Sequence, residues 1–430
     1  MSSQSEVPPV TFPPPHQPHV LPSTIDGLID EQAVVSVYQP LIDLYGGETV
    51  GYEALARGPM GSSLERPDAL FAAAHAAAKE TEIEWECQRA ALVGAMEASV
   101  APGVALFVNF EPRLLTAERP EWLVRLTDSA LGQFAMFAEV TERSLTDQPA
   151  ELLAAVEELR RLGVGIALDD VGADPRSLAL MPFLAPDVIK LDLRLVHENP
   201  SRQIAEIVHA VGAEAERTGA LVLAEGIETE AHRQAALAMG ARYGQGWLFG
   251  RPAALERSGQ AITNGLPRPQ RKPADRHQTP FEVVTQSRPT RRGNKRLLLA
   301  LSLQIEAQAA SLGPSAVVLG AFQESQYFTA ATGLRYAALS KDAALVGALG
   351  TGLSEEPAPG VRGVALDRAD SLRDEWDVTV IGSQFAMAFV ARDLGDKCAD
   401  MERRFDFAIT YDRDLAVNAA SGMLVRLAAR

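Results

Sequence analysis

Short apolar runs of strand length alternate with longer amphipathic or alanine-rich segments between residues 33 and 239. A strand followed by a helix, repeated along a chain, is typical of successive βα units. The predicted strands lie at 33–37, 41–45, 50–55, 104–110, 134–140, 164–168, 188–191 and 221–224. The predicted helices lie within 67–99 and at 121–131, 151–162, 202–218 and 230–239. About 230 residues of this pattern match the size of a (β/α)8 barrel.

A polar side chain ends or follows almost every predicted strand of this region. In a barrel the carboxyl ends of the strands converge on one mouth, so we expect these side chains to meet there. An open doubly wound sheet would spread them along an edge and leave the charges unexplained. The series consists of Glu53, Asn109, Glu139, Asp169, Asp170, Lys190, Asp192, Glu225 and Gln245.

Each residue of the series could by itself be a helix cap or half of an ion pair. Three further charged residues lie near the series, and for each of them taken singly this structural interpretation is preferred: Arg57, Glu142 and Glu228. The series as a whole favours a shared site. Glu53 lies inside an otherwise apolar strand, where an unpaired charge would cost several kcal/mol.

Several carboxylates at one mouth need a counter-charge. Two of them about 5 Å apart repel by roughly 3 kcal/mol at an effective dielectric constant near 20. Carboxylates and an amide, without His or Cys, favour Mg²⁺ or Mn²⁺ over Zn²⁺. Two such ions are a common arrangement for phosphodiester hydrolysis. Lys190 could neutralise the cluster, orient an attacking water or stabilise charge on a phosphate.

Composition narrows the class of protein. The chain has 430 residues, 47% of them hydrophobic, which predicts two domains with separate cores. A net charge of −16 argues against nucleic-acid binding. Cys87 and Cys398 are the only cysteines, so neither a disulfide framework nor a cysteine-rich metal site is expected. No apolar run is long enough for a membrane span and no secretory signal is recognisable, so we expect a soluble, cytoplasmic protein.

Two segments do not have the composition of a folded core. Residues 1–24 are rich in Pro, Ser and Gln and predict a disordered tail ahead of a barrel at 25–255. Residues 256–296 are basic and interrupted by prolines, which indicates a solvated linker. The alternative is a basic arm that touches the acidic barrel mouth or a nucleic acid.

Residues 297–430 predict a second, smaller α/β domain. A helix is expected at 297–311, and strands are expected at 316–321, 361–366, 376–381, 385–392 and 405–410. The third and fourth of these strands have the spacing of a hairpin around Gly382 and Ser383. This half contains no carboxylate series, no nucleophile motif and no P-loop.

The motifs at 26–255 resemble those of the EAL-domain cyclic-di-GMP phosphodiesterases. They are EALAR (53–57), FVNF with Asn109, AEVTE with Glu139 and Glu142, ALDDVG with Asp169 and Asp170, IKLD with Lys190 and Asp192, AEGIE with Glu225 and Glu228, and QGWLFGRP with Gln245. The resemblance implies a barrel that hydrolyses cyclic di-GMP to linear pGpG with Mg²⁺ or Mn²⁺. It also implies a homodimer formed through the barrel.

The resemblance further implies a role for each motif residue. The metal ligands would be Glu53, Asn109, Glu139, Asp169 and Asp170, with Asp170 contributing to a second metal position. Glu53, Lys190 and Glu225 would be catalytic, with Lys190 binding the nucleophilic water and Glu225 acting on that water. The substrate-binding residues would be Leu55, Arg57 and Gln245. Gln245 would also support the metal-bound waters. Glu142, Asp192 and Glu228 would support neighbouring loops or ligands.

One loop departs from the family pattern. After the DD pair the family usually has DFG, a small residue and GYSSL, whereas this chain has VGADPRSL at 171–178. Because proline fixes φ and Asp174 adds a negative charge, the loop is expected to be stiffer or differently placed. The leading interpretation is a phosphodiesterase that is active but whose turnover is conditional. The alternatives are a receptor that holds cyclic di-GMP without cleaving it and signals to a protein partner and, ranked last, a scaffold that binds neither metal nor nucleotide.

The C-terminal half resembles the DICT sensory domains. The matching residues are Phe322, Gln323, Tyr327, Phe328, Thr332, Arg335 and Tyr336, followed by DEW at 374–376 and RRFDFAITYDR at 403–413. This resemblance implies a domain that senses a small molecule or a protein partner and regulates the barrel. An unrelated α/β interaction module is the alternative.

Overall fold

The structure is a computed structural model that describes residues 22–98, 100–111, 118–141, 149–174, 176–255, 265–269 and 278–427. The predicted disordered tail lies outside the described residues except for 22–24, and Glu142 and Pro175 also lie outside them. Within the described ranges, no helix is both long enough and apolar enough to cross a lipid bilayer.

The first domain is a closed eight-stranded barrel, as the alternating pattern predicts. Its strands are β1 Val35–Asp43, β2 Thr49–Arg57, β3 Ala105–Asn109, β4 Ala135–Thr141, β5 Gly165–Val171, β6 Val188–Leu191, β7 Leu221–Ala224 and β8 Tyr243–Gly244. β1 runs antiparallel to both of its neighbours, β2 and β8, and the other neighbouring pairs are parallel. The two strands predicted at 33–45 are one continuous strand, because the fixed φ of Pro40 fits an extended chain and Pro40 pairs with Tyr52.

Helices surround the barrel at most of the predicted positions. They are α1 Ile25–Asp30, α2 Pro67–Ala76, α3 Glu80–Glu97, α4 Glu121–Gln133, α5 Pro149–Arg161, α6 Ser177–Leu184, α7 Leu193–His197, α8 Arg202–Thr218 and α9 Glu230–Ala238. The single helical region predicted at 67–99 is two helices, separated at Ala78, whose φ of +52° interrupts the helical backbone. α1, α6 and α7 were not predicted. All three are short; α6 follows the loop after β5, and α7 begins two residues after the end of β6.

The predicted linker at 256–296 is wrong in two places. At 265–269 the chain packs against the barrel, where Leu266 is buried with the barrel's interior side chains and Arg268 donates to the carbonyl of Leu131. From residue 280 onward the chain belongs to the second domain, with α10 at Pro280–Thr285 and β9 at Arg291–Asn294. Apolar residues between the prolines account for the error, since Phe281 and Val284 are buried.

The second domain contains a seven-stranded sheet. Besides β9, its strands are β10 Val317–Glu324, β11 Leu345–Thr351, β12 Arg362–Ala365, β13 Glu375–Ile381, β14 Ala386–Asp393 and β15 Arg404–Thr410. Their order in the sheet is β12-β11-β10-β13-β14-β15-β9. β13 and β14 pair antiparallel, which confirms the predicted hairpin. β11 was not predicted. Its sequence, LVGALGT, is rich in Gly and Ala, although almost all of it is buried.

Helices cover both faces of this sheet. α11 (Lys295–Ala309) and α12 (Ala330–Leu339) share a core with Val318, Val378 and Phe389. α10 and α13 (Arg413–Leu424) join the core that contains Val317, Leu319 and Val390 on the opposite face.

The two domains contact each other beside the barrel strand that carries the DD pair. α13 of the second domain packs against α6, which is the first helix after Asp170. The turn Gly313–Ser315 also contacts α6. At the edge of this contact, the Arg217 side chain on α8 forms an ion pair with Asp414 on α13. The second domain therefore supports the helix that follows the altered loop.

Candidate active site

The interior of the barrel changes from apolar to charged at one level along the strands. Side chains two positions apart on a strand lie on the same face, so each interior position predicts the next. Apolar interior residues of β4, β6 and β7 are each followed two positions later by a polar one: Phe137 by Glu139, Val188 by Lys190, and Leu223 by Glu225. Phe107 precedes Asn109 in the same way, and Tyr243 precedes Gln245. The predicted series therefore lies at the carboxyl ends of the strands.

Lys190 lies at the centre of this charged level and is completely buried. Its Nζ atom lies 2.5 Å from Glu139 Oε1, 2.8 Å from Glu225 Oε1 and 2.9 Å from Asp169 Oδ1. Glu53 Oε2 lies farther away, at 3.7 Å, and accepts a hydrogen bond from Gln245 Nε2. One ammonium group thus faces four carboxylates, three of them on strands β2, β4 and β5 and the fourth directly after β7.

The electrostatics of the cluster reflect this imbalance. Burial alone would lower the pKa of Lys190, but attraction by Asp169, Glu139 and Glu225 raises it well above its usual value. Burial raises the pKa of Glu139, and repulsion by Glu53 raises it further. Burial also raises the pKa of Glu225, to about 8, against the attraction of Lys190. Lys190 alone is therefore insufficient to hold all the carboxyl groups in their ionised forms.

Asp169 and Asp170 reach the same site although they are adjacent in sequence. Neighbouring residues of a regular strand point to opposite faces. Here the pairing of β5 with β6 shifts between Leu168 and Val171, and Asp170 has a φ of +53°. Asp tolerates this left-handed conformation better than most residues. As a result, one carboxylate oxygen each from Asp169, Asp170 and Glu225 lies within 4.8 Å of the other two.

The oxygen atoms of the cluster fit a hard divalent cation. Among the described residues, Glu139 Oε2 and Gln245 Oε1 are buried without a hydrogen-bond donor. The candidate ligands are carboxylate and amide oxygens, which Mg²⁺ and Mn²⁺ prefer. Buried acceptors of this kind cost free energy unless a cation or a donor reaches them.

The remaining predicted residues occupy different surroundings. Asn109 lies exposed at the end of β3, in register with Glu139. Asp192 caps α7, where its Oδ1 accepts from the amide and the Nε of Arg194 at 2.9 and 2.8 Å. Glu228 is exposed, and its amide donates to His232 Nδ1. The structure thus places Asp192 and Glu228 around the site, not among its carboxylates.

A cleft of about 740 Å³ opens beside this cluster. Leu55, Arg57, Asn109 and Glu139 line its barrel side. The opposite wall comes from α2 and α3 and contains Phe71, His75, Glu80, Glu84 and Gln88. This second wall was not predicted, because alanine-rich amphipathic helices are typical of ordinary packing around a barrel.

Glu84 is a buried carboxyl group of that wall. It is 8% exposed and accepts from Gln88 Nε2 at 3.3 Å and from the amide of Glu111 at 3.4 Å. Burial raises the pKa of its carboxyl to about 7. A Glu on the apolar side of a helix was the only available sequence signal, and such residues are more often structural.

The altered loop begins from a well-packed position. Val171, where the family usually has Phe, is fully buried at the end of β5 and pairs with Leu191. Asp174 Oδ1 accepts from the amide of Arg176, one residue before α6 begins. The smaller side chain at 171 therefore still contributes to the core, and the loop leads directly into the helix that contacts the second domain.

Comparison with known proteins agrees with this architecture. Residues 24–252 match the EAL domain family, and residues 280–394 match the family described as "Sensory domain in DIguanylate Cyclases and Two-component system". The probable cyclic di-GMP phosphodiesterase PdeB of Escherichia coli is 28% identical over 53% of this chain and 44% of its own length. The cyclic di-GMP phosphodiesterase RocR of Pseudomonas aeruginosa is 29% identical over 54% of this chain and 61% of its own length.

Among solved structures, Klebsiella pneumoniae BlrP1 in complex with manganese and cyclic di-GMP is 29% identical, with a TM-score of 0.46 over 51% of this chain and 56% of BlrP1. The chain covers less than two thirds of the length of PdeB, RocR and BlrP1. The EAL match, in contrast, covers more than half of this chain. With its barrel and its carboxylate cluster, the chain belongs to the EAL domain family.

Proposed function

We propose that the barrel is a metal-dependent phosphodiesterase that hydrolyses cyclic di-GMP to linear pGpG. The observation that carries this proposal is the position of Lys190 among four carboxylates at the edge of a cleft of about 740 Å³. The names of PdeB and RocR support the substrate.

Glu53, Asn109, Glu139, Asp169 and Asp170 would hold Mg²⁺ or Mn²⁺. Asp169 and Asp170, with Glu225, have oxygens close enough to share one ion, and Glu53 and Glu139 face the same centre from β2 and β4. Two bound ions would lower the pKa of a water and neutralise charge on the phosphate.

The chain's own residues would guide the hydrolysis. Lys190 Nζ is positioned to orient the attacking water, and the ionised carboxylate of Glu225, 2.8 Å from Lys190, can accept the proton that this water loses. The water oxygen forms a new bond to phosphorus while the bond from phosphorus to the ribose 3′ oxygen breaks. That 3′ oxygen takes a proton from solvent, which leaves a linear dinucleotide with a 5′ phosphate.

Leu55 and Arg57 would hold the nucleotide in the cleft. The backbone of β2 places both residues in the cleft lining, two and four positions after Glu53. Leu55 offers an apolar contact, and the guanidinium of Arg57 offers several donors to a phosphate or a base edge. Gln245 would orient Glu53 through the hydrogen bond that it donates.

The second candidate function is a receptor that binds cyclic di-GMP without hydrolysis. The altered loop at 171–176 favours it, because this loop connects Asp170 to α6 and differs from the family pattern. In this case the nucleotide would be held by the same cleft, and occupancy would be transmitted to a protein partner.

We also propose that the second domain regulates turnover through α6. Its helix α13 packs on α6, and α6 follows the loop that begins with Asp170. A small molecule or partner that moves α13 would change the position of that loop. The homodimer through the barrel and the cytoplasmic location stay predictions.

Product analysis separates the two candidate functions. Full-length protein is incubated with cyclic di-GMP in Mg²⁺ and, separately, in Mn²⁺, and the nucleotides are resolved by chromatography. If the barrel is a phosphodiesterase, wild type should form pGpG and Glu53→Ala should form none. Unchanged cyclic di-GMP that nevertheless binds to the wild-type protein would favour the receptor.

A further inference from the structure

The loop that carries Glu225 has neither helical nor strand structure, although Glu225 must lie close to Lys190. Residues 225–228 connect β7 to the capping residue of α9. The amide of Glu225 donates to Leu191 O at 3.1 Å, and the amide of Ile227 donates to Gln245 O at 3.0 Å. These bonds tie the loop to its two neighbouring strands. They leave the carbonyl of Gly226 and the amide of Glu228 to other partners.

His197, the last residue of α7, reaches the carbonyl of Gly226. Its Nε2 lies 2.6 Å from Gly226 O, and because a carbonyl only accepts, Nε2 must carry the hydrogen. Gly226 has a φ of +64°, and a Cβ at this position would lie 2.4 Å from Cβ of Leu193. The residue directly after Glu225 is therefore packed against the start of α7 and hydrogen-bonded to its end.

His232 on α9 holds the other end of the loop. Its Nδ1 accepts from the amide of Glu228 at 3.4 Å, so Nδ1 carries a lone pair. The rings of His197 and His232 pack together, with centroids 4.1 Å apart and planes inclined by 35°. The two histidines thus form one unit that binds both Gly226 and Glu228, on either side of Ile227.

We propose that His197, supported by His232, is a positioning residue for Glu225. Glu225 lies near Asp169 and Asp170, with oxygens within 4.8 Å, and like charges at this separation repel. That repulsion favours movement of the loop away from the barrel mouth, whereas Lys190 Nζ, 2.8 Å from Glu225 Oε1, attracts Glu225. The histidine pair would add to the contacts that keep the loop in place. The effect on turnover rests on the proposed function and the effect on Mn²⁺ binding rests on its proposed metal site, whereas the effect on loop order rests on neither.

Four variants of the full-length protein test this role. His197→Ala removes the hydrogen bond to Gly226, His197→Gln retains a donor, and His232→Ala removes the ring contact and the acceptor. His209→Ala is the matched control, because His209 is an exposed histidine on α8, outside this pair. Thermal unfolding of each variant establishes that the fold is retained.

The first two readouts need no turnover. Hydrogen exchange followed by mass spectrometry reports the order of residues 225–229, and Mn²⁺ binding followed by electron paramagnetic resonance reports the metal site. In His197→Ala we expect exchange about tenfold faster and Mn²⁺ affinity about tenfold weaker. His232→Ala changes both in the same direction by less, and His197→Gln restores most of both.

Kinetics supply the third readout. His197→Ala is expected to lower kcat about tenfold with KM changed less than about twofold, because Glu225 does not hold the ground-state nucleotide. Exchange and Mn²⁺ affinity in His197→Ala equal to those of His209→Ala would overturn the proposal. If wild type does not hydrolyse cyclic di-GMP but the first two readouts change as expected, the proposed function fails and the positioning role stands.

Discussion

Lys190 Nζ lies 2.8 Å from Glu225 Oε1; Lys190 belongs to β6, and Glu225 directly follows the neighbouring parallel strand β7. Lys190 is fully buried, so the carboxylates of the barrel mouth must balance its charge. This relationship makes the stability of the barrel depend on the same groups that are proposed to carry out the reaction.

Replacing Lys190 with Met should therefore destabilise the metal-free protein. Without the ammonium group, four carboxylates face one another, and the free energy of unfolding in EDTA should fall by roughly 3 kcal/mol. Mg²⁺ should restore a large part of the loss, because bound cations replace the missing charge. Urea unfolding with EDTA and with saturating Mg²⁺ measures both effects.

Lys79→Met is the control for this change, because Lys79 forms a surface pair with Glu82 at 2.8 Å. Such a surface pair contributes little to stability, and Mg²⁺ should not alter its effect. Equal stabilisation of wild type and Lys190→Met by Mg²⁺ would contradict the proposed charge balance.

Glu84 predicts a pH-dependent stability. Burial raises its pKa from the usual value of 4.5 to about 7, so the folded state binds the proton more tightly than the unfolded state. Stability from this group is present below pH 4.5 and is lost as the pH rises towards 7. Glu84→Gln removes this dependence, and at pH 8 the variant should be more stable than wild type by up to about 3 kcal/mol.

Urea unfolding between pH 5 and 8 measures the difference between the two proteins. Glu97→Gln on the same helix is the matched control, since Glu97 is exposed, and its effect on stability should not vary with pH. A stability difference between Glu84→Gln and wild type that is constant across this range would contradict a buried carboxyl group at 84.

The contact between the domains predicts a change in turnover. Asp414→Arg replaces the partner of Arg217 with a like charge at the edge of the α6–α13 contact. Looser packing of α13 should let α6 and the loop after Asp170 move, and kcat with saturating Mn²⁺ should fall about threefold.

Asp406→Arg makes the same charge change within the second domain, where Asp406 pairs with Arg292 at 2.8 Å. It should leave kcat unchanged, because Arg292 and Asp406 both belong to the second domain's own sheet. The same kcat for both variants would argue against regulation through α6.

The barrel and its charged mouth were predictable because each strand carries its own local signal. Each continuous apolar run marks a buried strand, and the residue two positions after Phe137, Val188 or Leu223 must then lie on the same face as that residue. The convergence of Glu139, Lys190 and Glu225 follows from closure of the sheet. The joint orientation of Asp169 and Asp170 does not, because it depends on a register shift and a positive φ.

Contacts between distant segments account for most of what the sequence did not reveal. Leu266 is a single apolar residue among prolines, and its burial depends on the barrel end that it meets. β9 has no apolar pattern at all and exists because its backbone pairs with β15. The α2–α3 wall of the cleft, the α6–α13 contact and the pairing of His197 with His232 likewise depend on tertiary packing.

The most direct test of the central claim is the initial rate of pGpG formation as a function of Mn²⁺ concentration, for wild type and for Glu139→Gln, with cyclic di-GMP binding measured on both proteins. We expect wild type to be inactive in EDTA and its rate to saturate with Mn²⁺. Glu139→Gln is expected to be at least about a hundredfold slower, while its nucleotide affinity changes by less than about threefold. Wild-type turnover in EDTA, or equal rates for the two proteins, would contradict a metal-dependent centre built around Lys190.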